Sequence, residues 1–225
     1  LNSIGLENQG VEAFLNEVVP ELGSEGIPIV ANVGGESVDE FCQMVEAFGD
    51  LDCFQALELN LSCPNVGGGR LPFSTCEKAV HEVLDACRSL TKKPLWAKLS
   101  PNVTRIAPMA IAAEKAGADA LTVGNTVLGL AVNWRTRKPE LGVGYGGFSG
   151  PAIRPIAMRM VWETSQAVDI PVIGCGGISS AEDVLSFLVA GASSVQLGTA
   201  FFRNPSLFGE VSRQLTLLLE QEGAS

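Results

Sequence analysis

Six short apolar runs recur along this chain, each separated from the next by a stretch with helical periodicity. They occupy residues 27–33, 56–61, 94–99, 118–123, 170–174 and 194–198. The helical stretches between them are about 10 to 18 residues long, a usual size for connections between parallel strands. Strands buried on both faces read as continuous apolar runs in this way. Two helix-to-strand junctions also match: Gly117-Ala118-Asp119-Ala120 and Gly191-Ala192-Ser193-Ser194. Each places a glycine after a helix, where a left-handed cap is required. Repetition of one βα unit restricts the chain to an α/β fold with a parallel sheet, and the near-repeat points to a TIM (β/α)8 barrel.

A complete barrel of this kind has about 250 residues, or roughly 30 per unit. About six units are visible here. The opening Leu1-Asn2-Ser3-Ile4-Gly5-Leu6 has no initiator methionine and reads like the interior of a protein. The first two units are therefore expected to be missing. With no linker in the chain, residues 1–225 are expected to form one N-terminally incomplete barrel domain. The longest irregular stretch is expected over residues 128–150, and a loop of that length is usually functional.

Composition narrows the possible tasks. The formal net charge is -10 and the pI about 4.6. Such a surface repels phosphate backbones, which argues against nucleic-acid binding. No apolar run approaches the ~18 residues of a membrane span. The six cysteines form no CxxC pair and there is one histidine, His81. That argues against a zinc site and fits free thiols in a reducing cytoplasm. His81 reads as a helix-surface residue.

Polar residues gather where the strands end, which is where α/β proteins bind ligands. Residues 58–65 run Glu58-Leu59-Asn60-Leu61-Ser62-Cys63-Pro64-Asn65. Cys63 follows a strand and sits among amides, so it is the candidate general base; the other five cysteines read as small buried hydrophobes. Lys98 lies inside the apolar strand ending Trp96-Ala97-Lys98-Leu99, which requires an anionic or hydrogen-bonding partner. Asn60, Asn65 and Asn125, with Thr126, are expected at one mouth, suited to a planar ligand with alternating donors and acceptors. Gly176-Gly177 and Gly198-Thr199 follow the last two strands, where barrels commonly hold phosphate. Gly146-Gly147-Phe148-Ser149-Gly150-Pro151 adds a third glycine-rich turn before a helix.

Taken together, these segments closely resemble class 1 (cytosolic) dihydroorotate dehydrogenases. The matching pieces are Asn2 to Leu6, Glu58 to Asn65, Lys98-Leu99-Ser100-Pro101-Asn102, Asn125-Thr126, Gly147 to Ile153, Gly176-Gly177-Ile178 and Gly198-Thr199. The resemblance implies FMN as cofactor and oxidation of dihydroorotate to orotate in pyrimidine biosynthesis. It implies that Cys63 removes the C5 proton while a hydride leaves C6 for the flavin. By the same resemblance Asn2, Ser3, Ile4, Gly5, Leu6, Asn60, Asn65, Asn125 and Thr126 hold the substrate. Asn32, Asn60, Lys98, Gly124, Gly150, Gly176, Gly177, Gly198 and Thr199 hold FMN. The stretch Asn133-Trp134-Arg135-Thr136-Arg137-Lys138-Pro139 looks most like class 1B, whose catalytic subunits pair with an FAD and iron–sulfur subunit and pass electrons to NAD. A class 1A homodimer reducing fumarate is the alternative partner arrangement. Two other readings stay open: a dihydropyrimidine dehydrogenase-like flavin barrel, and a truncated, inactive barrel acting as an interaction subunit.

Overall fold

The computed structural model describes residues 1–5, 7–22, 26–62 and 73–223. Its first four strands are β1 (Val30–Val33), β2 (Ala56–Asn60), β3 (Leu95–Leu99) and β4 (Ala120–Val123). Four short strands follow: β5 (Val127–Gly129), β6 (Val132–Asn133), β7 (Lys138–Pro139) and β8 (Gly146–Phe148). The chain then returns with β9 (Val172–Cys175) and β10 (Ser194–Gln196). One sheet takes the order β1-β2-β3-β4-β9-β10, and every neighbouring pair in it is parallel. All six strands therefore present their carboxyl ends on the same side.

The predicted strands are all present, most with trimmed ends, while β9 starts two residues late and runs one residue further, to Cys175. Proline explains three of the starts. Pro28, Pro94 and Pro171 lie just before β1, β3 and β9, and proline has no N–H to give to a ladder. Its carbonyl still accepts: Leu57 N donates to Pro94 O at 3.0 Å and Leu121 N to Pro171 O at 2.9 Å.

The helices are α1 (Val11–Ala13), α2 (Val38–Phe48), α3 (Glu77–Arg88), α4 (Ala107–Lys115), α5 (Arg154–Ser165), α6 (Ala181–Val189), α7 (Thr199–Arg203) and α8 (Leu207–Gln221). Helix α1 continues into π and 3-10 turns up to Glu21. Local chemistry sets the start of α2: Ser37 Oγ accepts from Glu40 N at 3.2 Å, and the Glu40 carboxylate accepts from Glu36 N at 2.7 Å. The arrangement is a capping box shifted by one residue, with the glutamate accepting from the N–H before the cap rather than from the cap itself. Gly117 and Gly191 adopt φ of +91° and +102°, as their place after α4 and α6 requires. His81 is exposed on α3.

The core lies between sheet and helices. Leu57, Leu59, Leu95, Leu99 and Leu121 from the strands meet Phe41, Leu84 and Phe187 from the helices, and all are fully buried.

Residues 128–150, expected to be irregular, are not entirely so. Strand β5 pairs antiparallel with β8, and β6 with β7. These strands are two or three residues long, too short for a period-2 pattern to register in sequence. Asn102 fixes their approach to the sheet: its Nδ2 donates to Thr126 O at 3.1 Å and its Oδ1 accepts from Leu128 N at 2.8 Å.

Gly174 shows how closely the sheet meets its cover. A Cβ there would collide with the ring of Phe187, which is fully buried on α6. Overpacking of this kind costs about 1–3 kcal/mol. Gly174→Ala is expected to lower Tm by about 2–4 °C for each kcal/mol lost at this size, with Phe187→Leu in the same chain restoring part of it. Calorimetry reads both, and an unchanged Tm in the single variant would refute the packing account.

Candidate active site

A cavity of about 250 Å³ opens at the carboxyl ends of the strands. Lys98, Cys175 and Gln196 lie on its strand side. Asn125 and Thr126 lie beyond the end of β4. Gly150, Gly176, Gly177, Gly198 and Thr199 supply the loops after β8, β9 and β10. Residues widely spaced in sequence meet here because six parallel strands end together.

A hydrogen-bonded cluster centred on Glu58 fixes the position of Lys98. The Glu58 side chain is 5% exposed and that of Lys98 13%. Lys98 Nζ donates to Glu58 Oε1 at 3.3 Å and to Gln196 Oε1 at 2.6 Å. Asn32 Nδ2 donates to Glu58 Oε1 at 2.6 Å, Gln196 Nε2 to Oε2 at 2.7 Å, and Thr122 Oγ1 also to Oε2. The anion that the sequence of β3 demanded is therefore Glu58. Burial alone pushes the Glu58 carboxyl up. The Lys98 charge and the donors Thr122, Gln196 and Asn32 together outweigh it and hold the group below its ordinary value of 4.5. For Cys175 the compensation is only partial: burial pushes its thiol up, Lys98 pulls the other way, and Glu58 adds to the rise.

A second chain of bonds joins the ends of β2 and β4. Ser62 Oγ donates to Asn60 Oδ1 at 2.8 Å and accepts from Asn125 Nδ2 at 2.7 Å. Asn125 Oδ1 accepts from Thr126 N at 2.8 Å. Ser62 is fully buried, so both amides are held in fixed orientations.

Glycine is required on the far rim for two separate reasons. Gly176 and Gly177 have φ of +136° and +77°, which L side chains rarely adopt. A Cβ on Gly177 would also lie 2.7 Å from Arg154 N. The rim is braced from behind. Asp183 Oδ2 accepts from Ser179 N at 2.9 Å and Ser179 Oγ at 3.1 Å, while its Oδ1 pairs with Arg154.

The structure thus gathers Lys98, Asn125, Thr126, Gly150, Gly176, Gly177, Gly198 and Thr199 around one cavity, and Asn32 and Asn60 join it through Glu58 and Ser62. Gly124 packs on Pro101, and its N–H donates to Cys175 O at 3.1 Å. Asn2 forms a two-bond antiparallel bridge to Gly147, at 2.9 and 2.8 Å. Gly147 in turn lies against Thr126. Ser3, Ile4 and Gly5 are exposed and do not line the cavity. Leu6, Cys63 and Asn65 lie outside the described residues. Sequence reasoning assigned no role to Glu58, Ser62, Asn102, Thr122 or Gln196. Polar residues inside otherwise apolar strands were the available signal for Glu58, Thr122 and Gln196.

A parallel α/β sheet with a glycine-rimmed cavity at its carboxyl ends is the arrangement that barrel-type α/β enzymes use. Residues 1–219 match the family described as "Dihydroorotate dehydrogenase", and the chain belongs to that oxidoreductase family. The "Dihydroorotate dehydrogenase B (NAD(+)), catalytic subunit" of Pelobacter propionicus is 47% identical over all of this chain and 74% of its own length. The protein of the same description from Anoxybacillus flavithermus is 47% identical over 99% of this chain and 72% of its own. A "Putative dihydroorotate dehydrogenase A (fumarate)" of Solibacter usitatus is 45% identical over 98% of this chain and 73% of its own. The solved structure of DHODH from Eimeria tenella has the same fold, with TM-score 0.74 and 21% identity over 94% of this chain. This chain spans 62% of that one.

The sign of the Glu58 shift gives a pH prediction. The folded value lies below the ordinary one, so the group's contribution to stability is complete above pH 4.5 and is lost as pH falls through the folded value. Thermal melts between about pH 3 and 6 are expected to show an acid limb that is shallower in Glu58→Gln. An identical limb in the variant would contradict the arrangement.

Proposed function

We propose that this chain is the catalytic subunit of an FMN-dependent enzyme that oxidises dihydroorotate to orotate in pyrimidine biosynthesis. It passes electrons to a partner subunit carrying FAD and an iron–sulfur cluster, which reduces NAD. The observation that carries this reading is the cavity itself: a half-buried ammonium on the strand side faces glycine-built turns on the other. A flavin has matching parts, an electron-rich ring and a phosphate.

The residues present fit that group. Gly176 and Gly177 take positive φ, and with no side chain on them or on Gly198 the backbone of these turns, with that of Thr199, is open to a phosphate. Lys98 would lie against the ring, with Asn32, Asn60, Gly124 and Gly150 completing the hold. When bound, FMN supplies the hydride acceptor. The chain's own part is orientation and proton transfer. Asn60 and Asn125, fixed through Ser62, present their amides to the planar substrate together with Thr126 and Asn65. In this reading the segment from Asn2 to Leu6, which is bridged to β8 at Asn2, moves onto the substrate once it is bound. Cys63, the residue after Ser62, takes the proton from substrate C5. The six parallel strands are read as the sheet of a (β/α)8 barrel, and the reading carries a cytoplasmic location with it.

Absorbance of the purified protein and stopped-flow reduction test the proposal. Wild type is expected to carry oxidised-flavin absorbance that dihydroorotate bleaches. Cys63→Ser is expected to keep the flavin and slow its reduction by about 10²- to 10⁴-fold, the usual contribution of a general base. Lys98→Ala is expected to weaken FMN binding. A colourless wild type, or Cys63→Ser reduced at the wild-type rate, would refute the assignment. Turnover with fumarate alone, and none with NAD and the partner, would replace the partner arrangement with the homodimeric one.

A further inference from the structure

Lys98 does not act alone in its cavity. The two acceptors that fix its ammonium are Glu58 Oε1 at 3.3 Å and Gln196 Oε1 at 2.6 Å. Gln196 is in turn held by its own bond to Glu58 Oε2 at 2.7 Å. Both therefore depend on one carboxylate, which is almost wholly buried. Without them the ammonium, on a flexible four-carbon stem, has many rotamers open to it. The same carboxylate also carries a full negative charge within contact of the positive one. In a water-poor site that charge is screened little.

We infer that Glu58 is a positioning residue for Lys98: it pins the ammonium at the cavity and offsets its charge, so that a bound flavin meets a neutral ion pair rather than an uncompensated cation. The inference rests on the FMN reading above. Reduction adds negative charge to a flavin, so an uncompensated cation beside the ring favours the reduced form. A paired cation favours it less. The carboxylate thus sets the reduction potential through the lysine, without touching the cofactor.

The test is the flavin reduction potential, measured by equilibration with a reference dye in the FMN-loaded protein. Glu58→Gln keeps the side-chain shape and removes the charge. At a fixed poise its ratio of reduced to oxidised flavin is expected to rise about tenfold, which is about 30 mV for a two-electron couple. Glu58→Asp, which retains the charge, is expected to return close to the wild-type potential. A purely structural role for Glu58 would change melting temperature in both variants and leave the potential of Glu58→Gln in place, and that result overturns the inference.

A buried glutamine opposite an unpaired lysine can prevent folding. Should Glu58→Gln not fold, the double variant Glu58→Gln/Lys98→Met, loaded with excess FMN because Lys98 also helps to hold it, carries the test: it removes both charges and keeps an amide to meet Asn32 and Thr122. Its reduced-to-oxidised ratio is expected within about threefold of wild type; a fall of about tenfold would mean that Lys98 acts as an uncancelled cation, and the inference fails. FMN absorbance separates the two levels of failure. A wild-type chain that takes up no FMN brings down the functional reading, and this inference with it. Binding with an unmoved potential in Glu58→Gln brings down the inference alone.

Discussion

The mouth of this fold is organised by one buried carboxylate. Glu58 on β2 accepts hydrogen bonds from Asn32 on β1, Lys98 on β3, Thr122 on β4 and Gln196 on β10. Strands β1 and β10 are the two ends of the sheet order. Their backbones do not pair, yet a side chain from each reaches the same carboxylate. The sheet's curl brings these groups together, and their bonds hold the curl in turn. Removing one partner of such a buried pair leaves a charge without compensation, which is far more costly than never having placed it there. The cluster is thus both a constraint on the fold and the electrostatic setting of the cavity.

The two rims of the cavity are fixed by different physics. On the side of β2 and β4, direction comes from hydrogen bonds: Asn60, Ser62 and Asn125 form one chain, and Asn102 ties the end of β3 to the ribbon that begins at Val127. On the side of β9 and β10, shape comes from absence of side chains. Gly177 lies so near Arg154 that no Cβ fits, and Asp183 fastens Arg154 and Ser179 behind it. Amides held in fixed orientations suit recognition of a flat polar molecule. Bare backbone suits close approach by a group such as phosphate.

Much of this was legible in the sequence where the signal was local. The six strands could be read because each is a short apolar run with a turn beside it. Gly117 and Gly191 could be read because a helix end needs a positive φ there. Lys98 announced its own difficulty, being a cation inside an apolar strand. Its solution could not be read in the same way. Glu58 lies 40 residues from Lys98, and Gln196 lies 138 residues from Glu58. A charged residue in a strand states that a partner exists but not which strand supplies it; that depends on sheet order and curl. The short ribbons between Val127 and Phe148 were missed for another reason. Their strands hold two or three residues, and their position depends on Asn102, some 25 residues upstream at the end of a different strand.

The order of strands also explains why the polar groups cluster without destabilising the core. In a parallel sheet the side chains of residues two apart share a face, so Glu58 and Asn60 both point to the same side of β2. Register then carries that face across the sheet: Asn32 pairs with Glu58, Asn60 with Lys98, and Lys98 with Thr122. The alternate residues, Leu57, Leu59, Ala97, Leu99 and Leu121, turn the other way and are fully buried beneath the helices. Polar and apolar demands are met on opposite faces of the same strands. A one-residue slip of β2 would bury Asn60 among the helices and move Glu58 away from Lys98 together. The ion pair and the hydrophobic core therefore specify the same register, and neither can be satisfied in the alternative one.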